Sequence, residues 1–104
     1  MGNQFSPEEL LHDDTDFAIR IPKEYVVLML NDDYTTQEFV IRMLVSIFQK
    51  SESSAYQIML DVHHKGSGLC GQYQKEIAEA KIAQVHRKAK NEGFPLRCKM
   101  EKVS

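Results

Sequence analysis

Tryptophan is absent from the chain, and cysteine, proline and glycine are sparse, at two, three and five residues. Two cysteines, Cys70 and Cys98, cannot build the disulfide framework of a small secreted domain. They are expected as reduced core thiols, at positions that suit neighbouring strands, and the chain is assigned to the cytoplasm. No apolar run approaches the roughly 18 residues of a membrane span, and the N-terminus lacks the basic-then-apolar order of a signal peptide. Positive charge is not in excess: the formal net charge is −2, against the basic stripe of a general nucleic-acid binder. Missing too are a nucleophile elbow, a Gly-rich phosphate loop and a supported Cys–His arrangement, which speaks against an enzyme. Met1–Ser6 fits the loose N-myristoylation pattern, but so short a pattern arises readily by chance and no lipid anchor is assigned.

What is present is enough for one small domain. The 104 residues are 42% hydrophobic and 27% charged, an ordinary globular balance. A chain of this size builds a thin core, which favours a shallow surface pocket over a deep two-lobed cleft. Before Ile19 stand Glu8, Glu9, Asp13, Asp14 and Asp16 with no Lys or Arg, so the remainder carries about +3. Residues 1–22 are therefore read as a flexible acidic extension and residues 23–104 as the core domain.

Tyr25 to Leu30 is a continuous apolar run of strand length, read as a strand buried on both faces. Asn31-Asp32-Asp33-Tyr34 breaks it, as turn-forming residues do. Thr35 to Gln49 is expected as a helix opened by a Thr35/Glu38 capping box, with Phe39, Val40, Met43, Leu44, Ile47 and Phe48 as its apolar stripe. A second helix is expected from about Ser54 to Lys65, closed by Gly66. Gly68–Tyr73 reads as a weak strand, Lys75–Asn91 as a long helix, and Leu96–Lys102, with its alternating pattern, as a half-buried strand. The order β-α-α-β-α-β implies an α+β two-layer sandwich, a three-stranded antiparallel sheet with three helices on one face.

Chemistry concentrates where the first strand meets the first helix. Asn31, Asp32 and Asp33 place acceptors beside a helix start, which serves either the helix dipole or a cation such as an ammonium with its three donors. His63 sits at the edge of the second helix's apolar stripe. It adjoins His64, but neighbouring helical residues diverge by about 100° and do not face one metal; a zinc helix spaces them four apart. Asn31-Asp32-Asp33 likewise lacks the alternating acids of a calcium loop. No metal or other cofactor is expected.

Taken together these residues resemble a known family. The run Val27-Leu28-Met29-Leu30-Asn31-Asp32-Asp33-Tyr34-Thr35 with Glu38-Phe39-Val40 is similar to the signature of ClpS, the adaptor of ClpA/ClpC-type unfoldases. Met59-Leu60-x-Val62-His63, Cys70-Gly71, Glu76-x-Ala78-Glu79-x-Lys81 and Pro95-Leu96-x-Cys98-x-Met100-Glu101-Lys102 follow in family order. The resemblance implies a monomeric, non-catalytic adaptor that binds N-degrons headed by Leu, Phe, Tyr or Trp and delivers them to the N-terminal domain of a Clp AAA+ unfoldase. It implies that Asn31, Asp32 and His63 contact the α-amino group. Thr35, Gln37, Val40, Met59, Val62 and Leu96 correspond to the hydrophobic pocket, and Glu76 and Lys81 to the unfoldase docking surface. Two departures stand out. Thr36 and Gln37 replace the family's common Pro and Met, the latter a gatekeeper against β-branched residues, and Gln74 replaces a helix-capping Thr. Two rival readings are a small hydrolase using Asp32 or Asp33 with His63, and a ribosomal stalk-like interaction domain.

Overall fold

The computed structural model describes residues 24–103; the expected acidic extension and the Met1–Ser6 pattern lie outside them. The elements run β1 (Glu24–Leu30), α1 (Gln37–Ser46), α2 (Glu52–Lys65), β2 (Ser67–Gln74), α3 (Lys75–Glu92) and β3 (Arg97–Lys102). The expected β-α-α-β-α-β order holds. β1 lies in the middle of the sheet, antiparallel to β2 on one side and β3 on the other.

Burial along β1 corrects one expectation. Val27 and Met29 are fully buried, but Val26, Leu28 and Leu30 are only half-buried. A single layer of helices covers one sheet face, so even a continuous apolar run alternates in burial. The covered face packs Val27 and Met29 with Cys70, Cys98 and the inner residues of all three helices, among them Phe39, Leu44, Met59 and Val85. Phe94, just after α3, stacks at a tilt on Phe39 with ring centroids 5.0 Å apart.

The helix boundaries show which local bonds win. α1 begins at Gln37, not Thr35, because the Thr36 hydroxyl accepts from Phe39 N at 3.1 Å and makes Thr36 the N-cap. α1 also ends early, at Ser46. Gln49 takes a left-handed φ of 53°, and Lys50 N bonds back to Leu44 O at 3.0 Å, a helix-stopping closure. Ile47 and Phe48 nonetheless remain in the core. α2 starts two residues before the expected Ser54, since Ser51 caps it by accepting from Ser54 N at 3.1 Å. Gly66 closes α2 at φ 93°, its N–H donating to Val62 O. At the start of α3, Gln74 provides no side-chain cap bond, in keeping with the loss of the capping Thr.

Cys70 and Cys98 are both buried and free, but they do not occupy neighbouring strands. β1 runs between β2 and β3. The thiols still face one core, and hydrogen bonding with Cys98, then burial, push the Cys70 thiol far above the ordinary range. On the far side, His86 of α3 accepts from Cys98 N at 3.0 Å through Nε2. Burial and the charge of Arg97 hold the imidazole below its usual value, and an acceptor nitrogen here requires the neutral ring.

One glycine sets the distance between α2 and the sheet. A Cβ on Gly68 would lie 2.7 Å from Val62 Cγ2 and 2.9 Å from the backbone oxygen of Ile58. Backbone cannot yield as a side-chain tip can. Gly68→Ala is therefore expected to destabilise the fold by about 1–3 kcal/mol, the usual cost of overpacking. Urea unfolding measures this, and an unchanged midpoint would mean that α2 has room to retreat.

Candidate functional site

The segment from β1 to α1 is built around one carboxylate. Asp32 Oδ1 accepts from Tyr34 N at 2.8 Å and Thr35 N at 2.7 Å, and Oδ2 accepts from the Thr35 hydroxyl at 2.7 Å. Partial burial would raise the Asp32 carboxyl, but the bonds from the Thr35 hydroxyl, Thr35 N–H and Tyr34 N–H outweigh it, so its pKa falls below 3.8. The charge thus holds the turn that the sequence announces with Asn-Asp-Asp. It also explains why Thr35 does not cap α1: its hydroxyl is bonded backwards.

A second bond brings α2 to the turn. Asn31 N donates to Gly66 O at 3.0 Å, tying the exit of β1 to the exit of α2. His63, less than one turn before Gly66, is carried to the same place. The result is a cleft of about 580 Å³ between turn and helix. Asn31, Asp32, Asp33, Thr35 and His63 form its polar wall, and Val40, Met59 and Val62 its apolar wall. Gln37 and Glu38, in the first turn of α1, complete the rim. The Asn31 side chain and the His63 ring make no hydrogen bond with another described residue, and the His63 ring meets the His64 ring edge-on at 5.1 Å.

Nine of the residues singled out from sequence therefore share one cleft: Asn31, Asp32, Asp33, Thr35, Gln37, Val40, Met59, Val62 and His63. Leu96 does not join them. It is 2% exposed and borders a different concavity, because its position just before β3 places it under the α3 exit. Thr36 and Glu38 also line the cleft, and neither was singled out as a site residue. The Thr36 cap, a Thr three residues before a buried Phe, was the available signal.

The two residues expected to dock the unfoldase, Glu76 and Lys81, stand apart from this cleft. Glu76 is exposed in the first turn of α3. Lys81 Nζ is engaged within the chain, donating to Ile47 O at 2.6 Å and Gln49 Oε1 at 3.2 Å, with the Tyr73 and Phe48 rings 5.2 and 5.9 Å away. It caps the open end of α1 and steadies the left-handed residue that follows. Lys81→Met is expected to cost about 1–2 kcal/mol, the low end for charged hydrogen bonds because the group is half in water. Chemical denaturation checks this; no loss would leave the ammonium free for other work.

Among the described residues, no cluster of three or more His, Cys, Asp or Glu is placed to hold a metal. No described helix is long and apolar enough to cross a membrane. The arrangement that remains is a cleft with an acceptor-rich end and an apolar end, shaped for a ligand with a cationic head and a greasy body.

The ATP-dependent Clp protease adapter protein ClpS of Oleidesulfovibrio alaskensis is 53% identical over 85 residues, 82% of each chain. The protein of the same name from Neisseria meningitidis is 48% identical over 89 residues, 86% of each. Among solved structures, Agrobacterium tumefaciens ClpS2 bound to L-phenylalaninamide superposes with a TM-score of 0.77 at 37% identity, covering 80% of this chain and all of the other. The family model described as ATP-dependent Clp protease adaptor protein ClpS matches residues 20–99, and with relatives this similar over most of its length the chain belongs to the ClpS family of Clp protease adaptors.

Proposed function

We propose that the cleft between the Asp32 turn and α2 captures the free N-terminus of a protein that begins with a bulky hydrophobic residue, and that the chain hands this protein to a Clp AAA+ unfoldase. The observation that carries the reading is the pairing of unspent acceptors on Asn31 and His63 with the apolar wall of Val40, Met59 and Val62 in one cleft. L-Phenylalaninamide, found on the similar ClpS2, has the same two features: a free α-amine and an aromatic side chain. An internal Leu lacks the charge, and a Lys lacks the large apolar group beside its α-carbon. Only a true chain terminus offers both at fixed spacing.

In this reading Asn31, His63 and the Asp32 charge receive the ammonium, and Val40, Met59 and Val62 receive the side chain. Gln37, in place of the family's Met, shapes the rim that sorts Leu from β-branched residues. Leu96 supports the core behind the site. Glu76 presents a carboxylate to the unfoldase N-terminal domain, and Lys81 offers the one ammonium donor not used inside the chain. The adaptor works as a monomer in the cytoplasm and without a cofactor.

The hydrolase alternative has less to stand on: Asp32 spends its oxygens on Tyr34 and Thr35, and no described hydrogen bond joins it to His63. A titration with peptides differing only in their first residue tests the proposal. Peptides headed by Leu or Phe are expected to bind at least about tenfold tighter than those headed by Ser or Asp, a difference of about 1.4 kcal/mol. Equal binding across the series would overturn it.

A further inference from the structure

A second hollow of about 790 Å³, larger than the proposed ligand cleft, lies on the other side of Tyr34. Its floor is apolar, made by Phe94, Pro95 and Leu96, and its rim carries Arg87, Lys90 and Arg97. Among the described residues, none of these three cations lies within salt-bridge distance of a carboxylate; the ion pairs there are Arg42–Glu92, Lys65–Asp61 and Lys99–Glu101. The neighbouring ligand cleft has the opposite character, with Asp32, Asp33 and Glu38 around it. Tyr34, 76% exposed, is the ridge between an acidic hollow and a basic one.

The occupant that fits is in the same chain. Residues 1–19 carry five carboxylates and no Lys or Arg, interleaved with Phe5, Leu10, Leu11 and Phe17: acids to meet the rim and apolar groups to meet the floor. Reach is sufficient. The leader joins the sheet at Glu24, and the basic hollow lies towards the opposite end of β1, where Leu30 pairs with Arg97. β1 spans about 20 Å at about 3.4 Å per residue. Asp16 stands eight residues before Glu24, so extended chain covers up to about 27 Å, and Asp13 and Asp14 reach further. Like charge disfavours the same segment in the acidic cleft.

We infer that the acidic leader, through Asp13, Asp14 and Asp16 with Phe17, docks in the basic hollow bounded by Tyr34, Arg87, Lys90 and Arg97. This goes beyond the proposed N-terminus capture and does not depend on it. The leader then lies against the outer side of Tyr34, whose backbone N–H is bonded to Asp32 in the ligand turn.

The test uses the full chain with Leu10→Cys carrying a nitroxide spin label. The buried Cys70 and Cys98 are left unlabelled. The backbone amides of Arg87–Arg97 are expected to lose most of their NMR intensity in low salt. They should recover it at about 0.5 M salt, where screening shortens to about 4 Å, and in the Asp13→Asn, Asp14→Asn, Asp16→Asn triple variant. Arg87→Glu with Arg97→Glu should also abolish the broadening, and adding Asp13→Lys, Asp14→Lys and Asp16→Lys to that variant should restore it. No broadening at the hollow in the full chain would overturn the inference and leave the surface to an acidic partner. Broadening that appears only when labelled chains are mixed with isotope-enriched unlabelled ones would also overturn it, in favour of a second copy. Binding of Leu-headed peptides is read in parallel, so that failure of the capture reading shows separately.

Discussion

Acetylating the first residue of a Leu- or Phe-headed peptide is expected to weaken its binding to this protein at least about tenfold, or about 1.4 kcal/mol. The modification removes one positive charge and two of three donors, while leaving the side chain to fill the wall of Val40, Met59 and Val62. Burying that side chain contributes about 1.5–3 kcal/mol, and a charge-assisted hydrogen bond about 1.5–3 more. The sum falls short of the roughly 8 kcal/mol of a micromolar complex. Backbone contacts to the next residues must supply the difference, and the ammonium cannot be spared. Fluorescence anisotropy or calorimetry with matched peptides measures the ratio; equal affinities would remove the ammonium from the recognition scheme.

The second large effect belongs to Asp32. Asp32→Ala is expected to reduce peptide binding by about tenfold or more, and Asp33→Ala by far less. Asp32 holds Tyr34 N, Thr35 N and the Thr35 hydroxyl, so its loss both removes a charge and releases the turn that aims Asn31. Asp33 is exposed and makes no hydrogen bond with another described residue. Asp32→Asn separates the two contributions, since an amide keeps an acceptor for the turn but not the charge. Because the folded Asp32 carboxyl is depressed, its contribution to stability is fully present above the unfolded value of 3.8 and is lost as pH falls through the lower folded value. Binding measured between pH 5 and 8 therefore sees this carboxylate fully ionised. A larger effect at Asp33 than at Asp32 would mean that the pair's roles are reversed.

The order of the elements was legible because each carries its own periodicity. The stripe from Phe39 to Leu44 and the alternation of Arg97, Cys98 and Lys99 are not ambiguous. What escaped were competitions between equal local options. Thr35 and Thr36 are both sound N-caps, and only the prior claim of Asp32 on the Thr35 hydroxyl decides between them. The apolar run of β1 promised burial on both faces, but a sequence window does not reveal that the sandwich has only one layer of helices. Cys70 and Cys98 suit neighbouring strands by pattern, which shows strands without their order, but β1 lies between them.

Most of the cleft was legible as well, through the motif from Asn31 to Val40 and the one from Met59 to His63. Leu96 was carried into it by family likeness, while the chain places it behind the fold's opposite hollow. That hollow was invisible beforehand. Its cations come from α3 and β3 and its ridge from the turn after β1, and no spacing rule links residues so far apart in sequence.

The bond from Asn31 N to Gly66 O has a kinetic meaning. It fastens the two lips of the proposed recognition cleft together with no guest present, as in a preformed socket. A socket needs no closing step, and encounter is limited by how often a chain end arrives in the right pose. If the cleft is the capture site, cargo can enter and leave it without a hinge of the adaptor opening.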